Sequence, residues 1–273
     1  MQSYRDWNIT SIPAVCITME RRTDRWKRFQ DQPGIRGLTL QRFLAVDGKT
    51  LDVKTDTRIT TLAKRNILTK SRRSHEEIDS IGAVGCSLSH IAVWQSMVDK
   101  KQELCLVFED DAMIPFDFIE QANKCIKESL LQNPTQWDIW LLGGIWDDTS
   151  SIPNEKTVMR VGAFMLSHAY VITLRTAKKL VEDAYPIHCH IDGWMSVYSY
   201  MNDIRLVGTN QLHLKQNPKS STDIQSEEGC AICNVPTEFT KDYAMISKAD
   251  LYIARASEIG LFILIVYLVL KNK

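Results

Sequence analysis

The sequence predicts an α/β fold, and three observations support this prediction. Short apolar segments of strand length alternate with longer segments that have helical spacing, which indicates a sandwich of helices around a mainly parallel sheet. The chain has 273 residues, 44% of them hydrophobic and 24% charged, which suits one large core in a globular protein. Neither an internal repeat nor a low-complexity segment interrupts the alternation.

The first half of the chain carries three predicted strands, at residues 12–19, 42–46 and 104–108. A basic helix is predicted after the first strand. Residues 82–85 are expected to form a loop, and Ser87 is expected to cap a long helix with apolar positions every three or four residues. Residues 49–79 are polar with little periodicity, so a long surface excursion is predicted there. The third strand is apolar throughout, as in a strand buried on both faces.

The second half is predicted to continue the alternation, with helices at residues 119–130 and 176–184 and strands at 137–142, 169–174, 204–208 and 211–214. The apolar run from Ile259 to Leu270 is shorter than the ~20 residues that a spanning helix needs. A short membrane anchor, an interfacial helix and a docked helix all remain open for it. We therefore expect a main domain at residues 1–250 and an apolar tail at 251–273 that is a possible membrane anchor.

Charge and cysteine usage limit the possible partners and compartment. Lys plus Arg and Asp plus Glu number 33 each, so the formal net charge is zero and nucleic-acid binding is not expected. Several of the seven cysteines lie inside apolar runs, which favours reduced, buried thiols. Cys230 and Cys233 are an exception, where a redox pair or half a zinc site competes with a plain thiol pair. The polar N-terminal residues do not indicate a secretory signal. A cytoplasmic protein is therefore expected, and membrane association through its C-terminus stays open.

Three consecutive carboxylates, Glu109, Asp110 and Asp111, follow the apolar strand at 104–108. Ligands of open α/β sheets bind beyond the carboxyl ends of the strands. Adjacent negative charges are costly there unless a cation neutralises them, and oxygen ligands suit Mg²⁺ or Mn²⁺. We therefore interpret this cluster as a metal site. Capping of the next helix is the alternative, but Pro115 delays that helix and leaves the aspartates in the connecting loop.

Six segments along the chain carry a family resemblance, at residues 17–25, 43–48, 82–94, 106–112, 167–172 and 191–195. The most specific is Gly-Ala-Val-Gly-Cys-Ser-Leu-Ser-His-Ile-Ala-Val-Trp at 82–94, and Leu-Val-Phe-Glu-Asp-Asp-Ala at 106–112 corresponds to a metal motif. In this order the segments resemble glycosyltransferase family 25, the lipopolysaccharide and collagen sugar-transferase group. The resemblance does not extend to residues 51–81 or beyond residue 225.

The resemblance implies a GT-A type nucleotide-sugar-binding sandwich, a UDP-sugar donor, a Mn²⁺-type ion (or Mg²⁺) and inversion at the anomeric carbon. It makes Glu109, Asp110 and Asp111 the metal motif. It also allows a late histidine, His213, to complete the metal shell. Gln216 belongs to the closing pattern of the family and is expected to approach the donor diphosphate.

Five further residues are expected to contact the donor. Arg21 and Arg25 follow the first strand, where guanidinium groups suit planar, bidentate recognition of phosphate or uracil; a solvated helix face is the alternative. Asp47 ends the second strand and can accept from a ribose hydroxyl or simply form an Asp-Gly turn. Ser89 and His90 lie near the start of the helix that faces the donor. For His90, a core histidine that holds the metal loop is the alternative.

Asp192 is predicted to be the general base that inversion by direct displacement requires; an N-cap for the following helix is the alternative. Trp194 is expected either to stack on a sugar or to pack in the core. The sequence therefore predicts a metal-dependent inverting transferase of galactose or glucose, acting on a glycan, lipid-linked or protein acceptor. A non-catalytic nucleotide-sugar-binding module is one alternative. A metal-dependent phosphoesterase is the other, although further ligand residues for its metal are few.

Overall fold

A mixed β-sheet with helices on both faces forms the described part of the chain. The computed structural model describes residues 7–72, 74, 77–146, 149–209, 211–217 and 224. The predicted boundary at residue 250, the apolar tail at 251–273 and the pair Cys230 and Cys233 lie outside these residues. All the described residues belong to one compact unit.

The strands group into one large sheet and one short ladder. In chain order they are β1 Pro13–Thr18, β2 Thr39–Leu44, β3 Leu104–Glu109, β4 Ala112–Met113, β5 Ile139–Leu141, β6 Thr149–Ser151, β7 Val158–Val161, β8 Ala169–Thr173, β9 Leu206–Thr209 and β10 Lys215–Gln216. The large sheet has the order β2-β1-β3-β8-β5-β9-β7-β6, and β4 pairs with β10.

Six α-helices connect or cover these strands within the described residues. They are α1 Thr23–Gln30, α2 Thr61–Thr69, α3 Ile81–Lys100, α4 Phe118–Lys127, α5 Leu174–Asp183 and α6 Ile191–Met201. One-turn 3-10 helices occur at Pro33–Ile35, Gly48–Thr50 and Leu130–Gln132. Helix α3 is the longest of the six, and it contacts α5 and α6 on the same side of the sheet.

Two core layers cover the two faces of the sheet, as the alternation of side chains along β3 illustrates. Leu106 and Phe108 belong to the layer built with α1 and α4. Cys105 and Val107 belong to the layer built with α3, α5 and α6. Successive side chains of a strand point to opposite faces, so a strand that is apolar at every position is buried on both sides. The predicted α/β sandwich is confirmed.

Strand direction divides the sheet into two parts. Strands β2, β1 and β3 are parallel neighbours, as are β5 and β9. Strand β8 is inserted between β3 and β5 and is antiparallel to both. Strands β7 and β6 extend the sheet in antiparallel pairing. The sheet is therefore mixed, and its first three strands bring their carboxyl ends to one edge.

Helix α3 begins earlier than predicted, because Ser80 rather than Ser87 is its N-cap. The Ser80 hydroxyl accepts from the Ala83 amide at 3.2 Å, and the predicted loop at 82–85 is the first turn of the helix. The glycine at 85 serves packing, because a Cβ there would lie 2.7 Å from the Val46 carbonyl oxygen. Ser87 lies inside the helix and donates to the Ala83 carbonyl instead.

Other differences from the predictions occur where the elements are short and polar. The region at 49–79 contains α2, which Thr60 caps by accepting from the Ala63 amide at 3.3 Å. The strand predicted at 211–214 is displaced to β10, and Leu214 forms an isolated bridge with Gly143. Strand β6 escapes prediction because all its residues are exposed, so its sequence lacks an apolar alternation.

One described helix, α3, is long and apolar enough to cross a membrane by length and composition. However, 61% of its most apolar window is buried inside the fold. Trp94 and Met97 of this helix are almost completely buried. Its apolar character therefore reflects packing between the sheet and the neighbouring helices.

Candidate functional site

A cavity of about 130 Å³ opens at the carboxyl ends of β1, β2 and β3, with the first half of α3 as one wall. Residues from four segments of the chain, at 17–25, 45–49, 81–90 and 109–111, line it together with Ile224. Eight of the predicted site residues are among them: Arg21, Arg25, Asp47, Ser89, His90, Glu109, Asp110 and Asp111. The parallel arrangement of β1, β2 and β3 explains this convergence, because each segment follows a strand end or faces one.

Arg25 connects the two aspartates at this edge of the sheet. Its Nη2 atom lies 2.5 Å from Asp110 Oδ1 and 2.9 Å from Asp111 Oδ2. The Arg25 side chain is only 8% exposed, so solvent screens these ion pairs weakly. Arg25 thus pairs with two of the three carboxylates, and the cluster keeps a net negative charge when all three are ionised.

The three carboxyls differ in acidity. Burial, together with the Glu109 charge, raises the pKa of Asp111 to about 7 against the opposing effect of Arg25. Burial also raises the pKa of Asp110. For Glu109, burial raises the pKa, but His90, His168 and Ser167 together hold the pKa below its ordinary value. A cation beside the aspartates would favour their ionised forms.

Glu109 is supported by groups from helix α3 and from the loop before β8. Ser167 Oγ donates to Glu109 Oε1 at 3.1 Å, and His90 Nε2 lies 3.4 Å from the same oxygen. The contact with His90 lacks hydrogen-bond geometry. On the other side of the fully buried imidazole, Nδ1 lies 2.9 Å from the Tyr170 hydroxyl, which accepts from Trp94 Nε1 at 3.0 Å. His90 is thus a core histidine that also lines the cavity.

The rim of the cavity carries an exposed ion pair between Arg21 and Asp47. Arg21 Nε donates to Asp47 Oδ2 at 2.9 Å, and the two side chains are 40% and 29% exposed. Asp47 also caps the 3-10 turn by accepting from the Lys49 amide at 3.1 Å. The Arg21 hydrogen bond and this amide hold the pKa of Asp47 below its ordinary value. Asp47 therefore forms a turn and still presents its carboxylate at the mouth of the cavity.

Ser89 has a structural role in the cavity wall. Its hydroxyl accepts from the Val46 amide at 2.9 Å and donates to the Gly85 carbonyl at 2.6 Å. The residue is 1% exposed. Ser89 thereby fixes α3 against the chain that follows β2, and the predicted contact with a donor stays a prediction.

Gln216 and His213, the two C-terminal site predictions, are not among the residues that line the cavity. Gln216 Nε2 lies 3.5 Å from Asp111 Oδ1, since the pairing of β10 with β4 brings this residue beside the acidic loop. His213 packs with its ring centroid 4.6 Å from the Trp146 ring, and burial lowers its pKa. The role of His213 as a metal ligand stays a prediction.

Asp192 lies in the first turn of α6, where His190 rather than Asp192 is the N-cap. Its Oδ2 accepts from the Leu166 amide at 2.7 Å and its Oδ1 from the Gly193 amide at 2.8 Å. The bond from Leu166 ties the helix to the loop before β8. The carboxylate is half-buried and is not among the cavity-lining groups, so its role as general base stays a prediction.

Three residues near the site escaped the sequence-based assignment of roles. Tyr170 supports His90, Ser167 supports Glu109, and Cys86 lines the cavity one helical turn before His90. Trp194, by contrast, packs between Trp94 and Tyr198, with ring centroids 6.2 and 4.9 Å away, as the packing alternative predicts. Of the three missed residues, Tyr170 could have been noticed in the sequence, because its hydroxyl lies within an apolar strand and needs a buried hydrogen-bond partner.

An α/β sandwich with an acidic cavity at the carboxyl ends of its parallel strands has the arrangement of a nucleotide- or phosphate-binding protein. The family model described as glycosyltransferase family 25 (LPS biosynthesis protein) matches residues 12–195 of this chain. The chain therefore belongs to glycosyltransferase family 25. The resemblance seen in the sequence is confirmed.

Relatives with curated names agree with this family. A glycosyltransferase 25 family member of Anopheles gambiae is 29% identical over 61% of this chain and 28% of its own length. Procollagen galactosyltransferase 1 of Danio rerio is 25% identical over 86% of this chain and 38% of its own length. A protein of Rattus norvegicus named probable inactive glycosyltransferase 25 family member 3 is 28% identical over 39% of this chain and 19% of its own length.

The chain thus spans between about a fifth and two fifths of the length of these relatives. A solved structure of mannose-1-phosphate geranyltransferase from Thermus thermophilus covers 74% of this chain and 60% of its own, at 10% identity. Its TM-score of 0.32 is too low to support an inference about fold or function.

Proposed function

We propose that this chain transfers a hexose from a UDP-sugar to a hydroxyl-bearing acceptor, with inversion at the anomeric carbon and with a divalent cation. The observation that carries this proposal is the convergence of eight predicted residues on one cavity. Nucleotides bind at this edge of α/β sheets, beyond the carboxyl ends of parallel strands. Family membership adds support from the sequence.

The carboxylates at the base of the cavity fit a hard divalent cation such as Mn²⁺ or Mg²⁺. Asp110 and Asp111 both line the cavity and offer oxygen ligands, and Arg25 is their ion-pair partner among the cavity-lining residues. We propose that these aspartates, with Glu109 beside them, hold the cation. Its chemistry, when bound, is to neutralise charge on the departing diphosphate.

The arginines suit the remaining charge of a nucleotide diphosphate. Arg25 lies beside the aspartates, and Arg21 lies at the exposed rim next to Asp47. A guanidinium donates in a planar fork that matches phosphate oxygens. The half-exposed Asp47 carboxylate can accept from a ribose hydroxyl at the same rim.

Asp192 is proposed to accept the proton of the acceptor hydroxyl. Its carboxylate holds two backbone amides, which fix its orientation at the start of α6. An oriented carboxylate is the kind of group that direct displacement requires as a general base.

Galactose is the proposed sugar, because the relative from Danio rerio is named procollagen galactosyltransferase 1. Glucose is the second choice. The acceptor is proposed to be a hydroxyl on a protein side chain, with a glycan or a lipid-linked glycan as the other classes to test.

The test is UDP release by the purified full chain with Mn²⁺, a panel of UDP-sugars and an acceptor panel that includes hydroxylysine peptides and glycans. We expect release with one preferred donor, abolished by EDTA and reduced at least ~100-fold by Asp111→Asn. Asp99→Asn, an exposed carboxylate on α3, is the matched control and should retain the wild-type rate. Metal-independent release, or an equal rate for both variants, would contradict the proposal.

A non-catalytic nucleotide-sugar-binding module is the second candidate. Two observations favour it: Arg25 already neutralises part of the acidic cluster, and one relative is named probable inactive. This candidate predicts calorimetric binding of UDP and of the intact UDP-sugar without any release of UDP in the presence of the full acceptor panel.

A further inference from the structure

Helix α3 presents a second set of ligand atoms to the cavity, next to the aspartates. Cys86 and His90 are four residues apart, so their side chains lie on the same face of the helix. Both residues line the cavity together with Glu109 at the end of β3. The Cys86 thiol, a ring nitrogen of His90 and a Glu109 oxygen all lie within 4.8 Å of one another.

One of these atoms is a buried nitrogen for which the described residues provide no hydrogen-bond partner. His90 is 0% exposed, and its Nδ1 is occupied by the Tyr170 hydroxyl at 2.9 Å. Its Nε2 points towards Glu109 Oε1 at 3.4 Å without hydrogen-bond geometry, and within the described residues it has no hydrogen-bond partner. A buried polar atom in this state is costly. Tyr170 therefore explains the orientation of the ring but not the use of Nε2.

The groups around His90 and Glu109 orient these two side chains in the way that ligand side chains are oriented in known metal centres. In such centres a ligating histidine donates its other ring N–H to an oxygen atom, and a ligating carboxylate is itself hydrogen-bonded. Tyr170 supplies the oxygen beside His90 Nδ1 and is held by Trp94 Nε1 at 3.0 Å. Ser167 donates to Glu109 Oε1 at 3.1 Å.

We propose that Cys86, His90 and Glu109 form a binding site for a thiophilic divalent cation, with Zn²⁺ as the type, adjacent to the aspartates that suit Mn²⁺ and sharing Glu109 with them. Thiolate, imidazole and carboxylate are zinc ligands, and three of them leave a fourth position open towards the cavity. When the sulfur–metal bond forms, the Cys86 thiol releases its proton to solvent. The Nε2 lone pair of His90 binds the cation while Nδ1–H donates to Tyr170.

The distances between the three ligand atoms require modest adjustment to fit a tetrahedral zinc site. Zinc-to-ligand lengths of about 2.0–2.3 Å put tetrahedral ligand atoms about 3.3–3.7 Å apart. The pair His90 Nε2 and Glu109 Oε1 is already 3.4 Å apart. Cys86 lies within 4.8 Å of both, so a small rotation of its side chain completes the set. Because Cys86 is half-buried at the cavity wall, a cation reaches it from the cavity.

The test is titration of the metal-free full chain with Co²⁺, monitored by the thiolate-to-cobalt charge-transfer band in the near ultraviolet. The background is the double variant Cys230→Ser/Cys233→Ser, so that the thiols of Cys230 and Cys233 do not contribute to the band. We expect the charge-transfer band to saturate at one Co²⁺ per chain and to be removed by one Zn²⁺ per chain. Cys86→Ser should abolish the band. Cys105→Ser, which removes a buried thiol in β3, should keep it.

Circular dichroism establishes whether Cys86→Ser is folded. If it is not, Glu109→Gln replaces it in the test, with an expected loss of Zn²⁺ affinity of at least ~10-fold by competition. Asp111→Asn should leave the cobalt band intact, which separates this site from the proposed transferase centre. A band that persists in folded Cys86→Ser, unchanged affinity in Glu109→Gln, or the lack of a band in the background protein would overturn the proposal.

Discussion

Arg25 Nη2 donates to Asp111 Oδ2 at 2.9 Å, although the two residues are 86 positions apart in the chain. Arg25 comes from α1 and Asp111 from the loop after β3, so this ion pair joins the first βα unit of the fold to the acidic cluster. The guanidinium also contacts Asp110. The stability of the cluster without metal therefore depends on Arg25.

Arg25→Met is expected to destabilise the metal-free protein by about 3–5 kcal/mol, because it leaves two mostly buried carboxylates without their counter-charge. The measurement is chemical denaturation in EDTA. Arg28→Met is the matched control, because Arg28 lies on the same helix with 43% of its side chain exposed, and a change within ~0.5 kcal/mol is expected there. Equal unfolding midpoints for the two variants would contradict the proposed dependence.

Asp111→Asn is expected to make the metal-free protein less sensitive to pH. Burial raises the folded-state pKa of Asp111 to about 7, above its ordinary value of 3.8. Its contribution to stability is therefore complete below about pH 4 and is lost as the pH rises through 7. Thermal unfolding in EDTA should show that the stability of the variant rises relative to the wild type by about 2–3 kcal/mol between pH 5 and pH 8. Parallel pH profiles for the two proteins would refute this assignment.

Tyr170→Phe is expected to slow catalysis through His90 and Glu109, since Tyr170 is a positioning residue. Removal of its hydroxyl leaves His90 Nδ1 and Trp94 Nε1 without their hydrogen-bond partner. The free energy of unfolding should therefore fall by about 1–3 kcal/mol. If the chain is a transferase, kcat for UDP release should fall while KM for the donor stays near the wild-type value. Tyr198→Phe, which removes a hydroxyl bonded to Asp183 at the surface, is the control. Equal kinetics in both variants would exclude the positioning role.

Asp192→Asn separates the proposed role of Asp192 as a general base from its structural role in holding the loop at Leu166. The amide oxygen of Asn can still accept from one backbone amide, so the unfolding free energy should fall by only about 1 kcal/mol. Loss of a general base should lower kcat by a factor of about 10² or more. Asp183→Asn, an exposed carboxylate on α5, is the control for the assay. A turnover number within about threefold of the wild type would limit Asp192 to holding the loop at Leu166.

The sequence predicted the parts of the fold whose pattern is local. Strand β3 is apolar at every position from Leu104 to Phe108, and burial on both faces produces that pattern directly. It did not predict the antiparallel insertion of β8, because strand direction depends on which distant strand is the partner. The start of α3 was misassigned because glycines at 82 and 85 suggest a loop, whereas Gly85 is needed for the close approach of Val46.

The candidate site was predictable where charged residues follow strand ends. Arg25, Asp47 and the acidic triplet converge because β1, β2 and β3 are parallel neighbours. The support of Glu109 by Ser167 was not predictable, since it depends on the register in which Phe108 pairs with Ala169. Cys86 was missed because a single cysteine in a helix carries no signal until the ligand atoms around it are known.

The insertion of β8 between β3 and β5 has a consequence for the order in which the chain is made. Phe108 emerges from the ribosome 61 residues before Ala169, its partner in the sheet. At translation rates of ~5–20 residues per second, the apolar edge of β3 waits about 3–12 s for its neighbour. An open, apolar strand edge is a template for mispairing and a target for holdase chaperones. Nascent chains that stall before Ala169 are therefore expected to be the aggregation-prone species during biosynthesis.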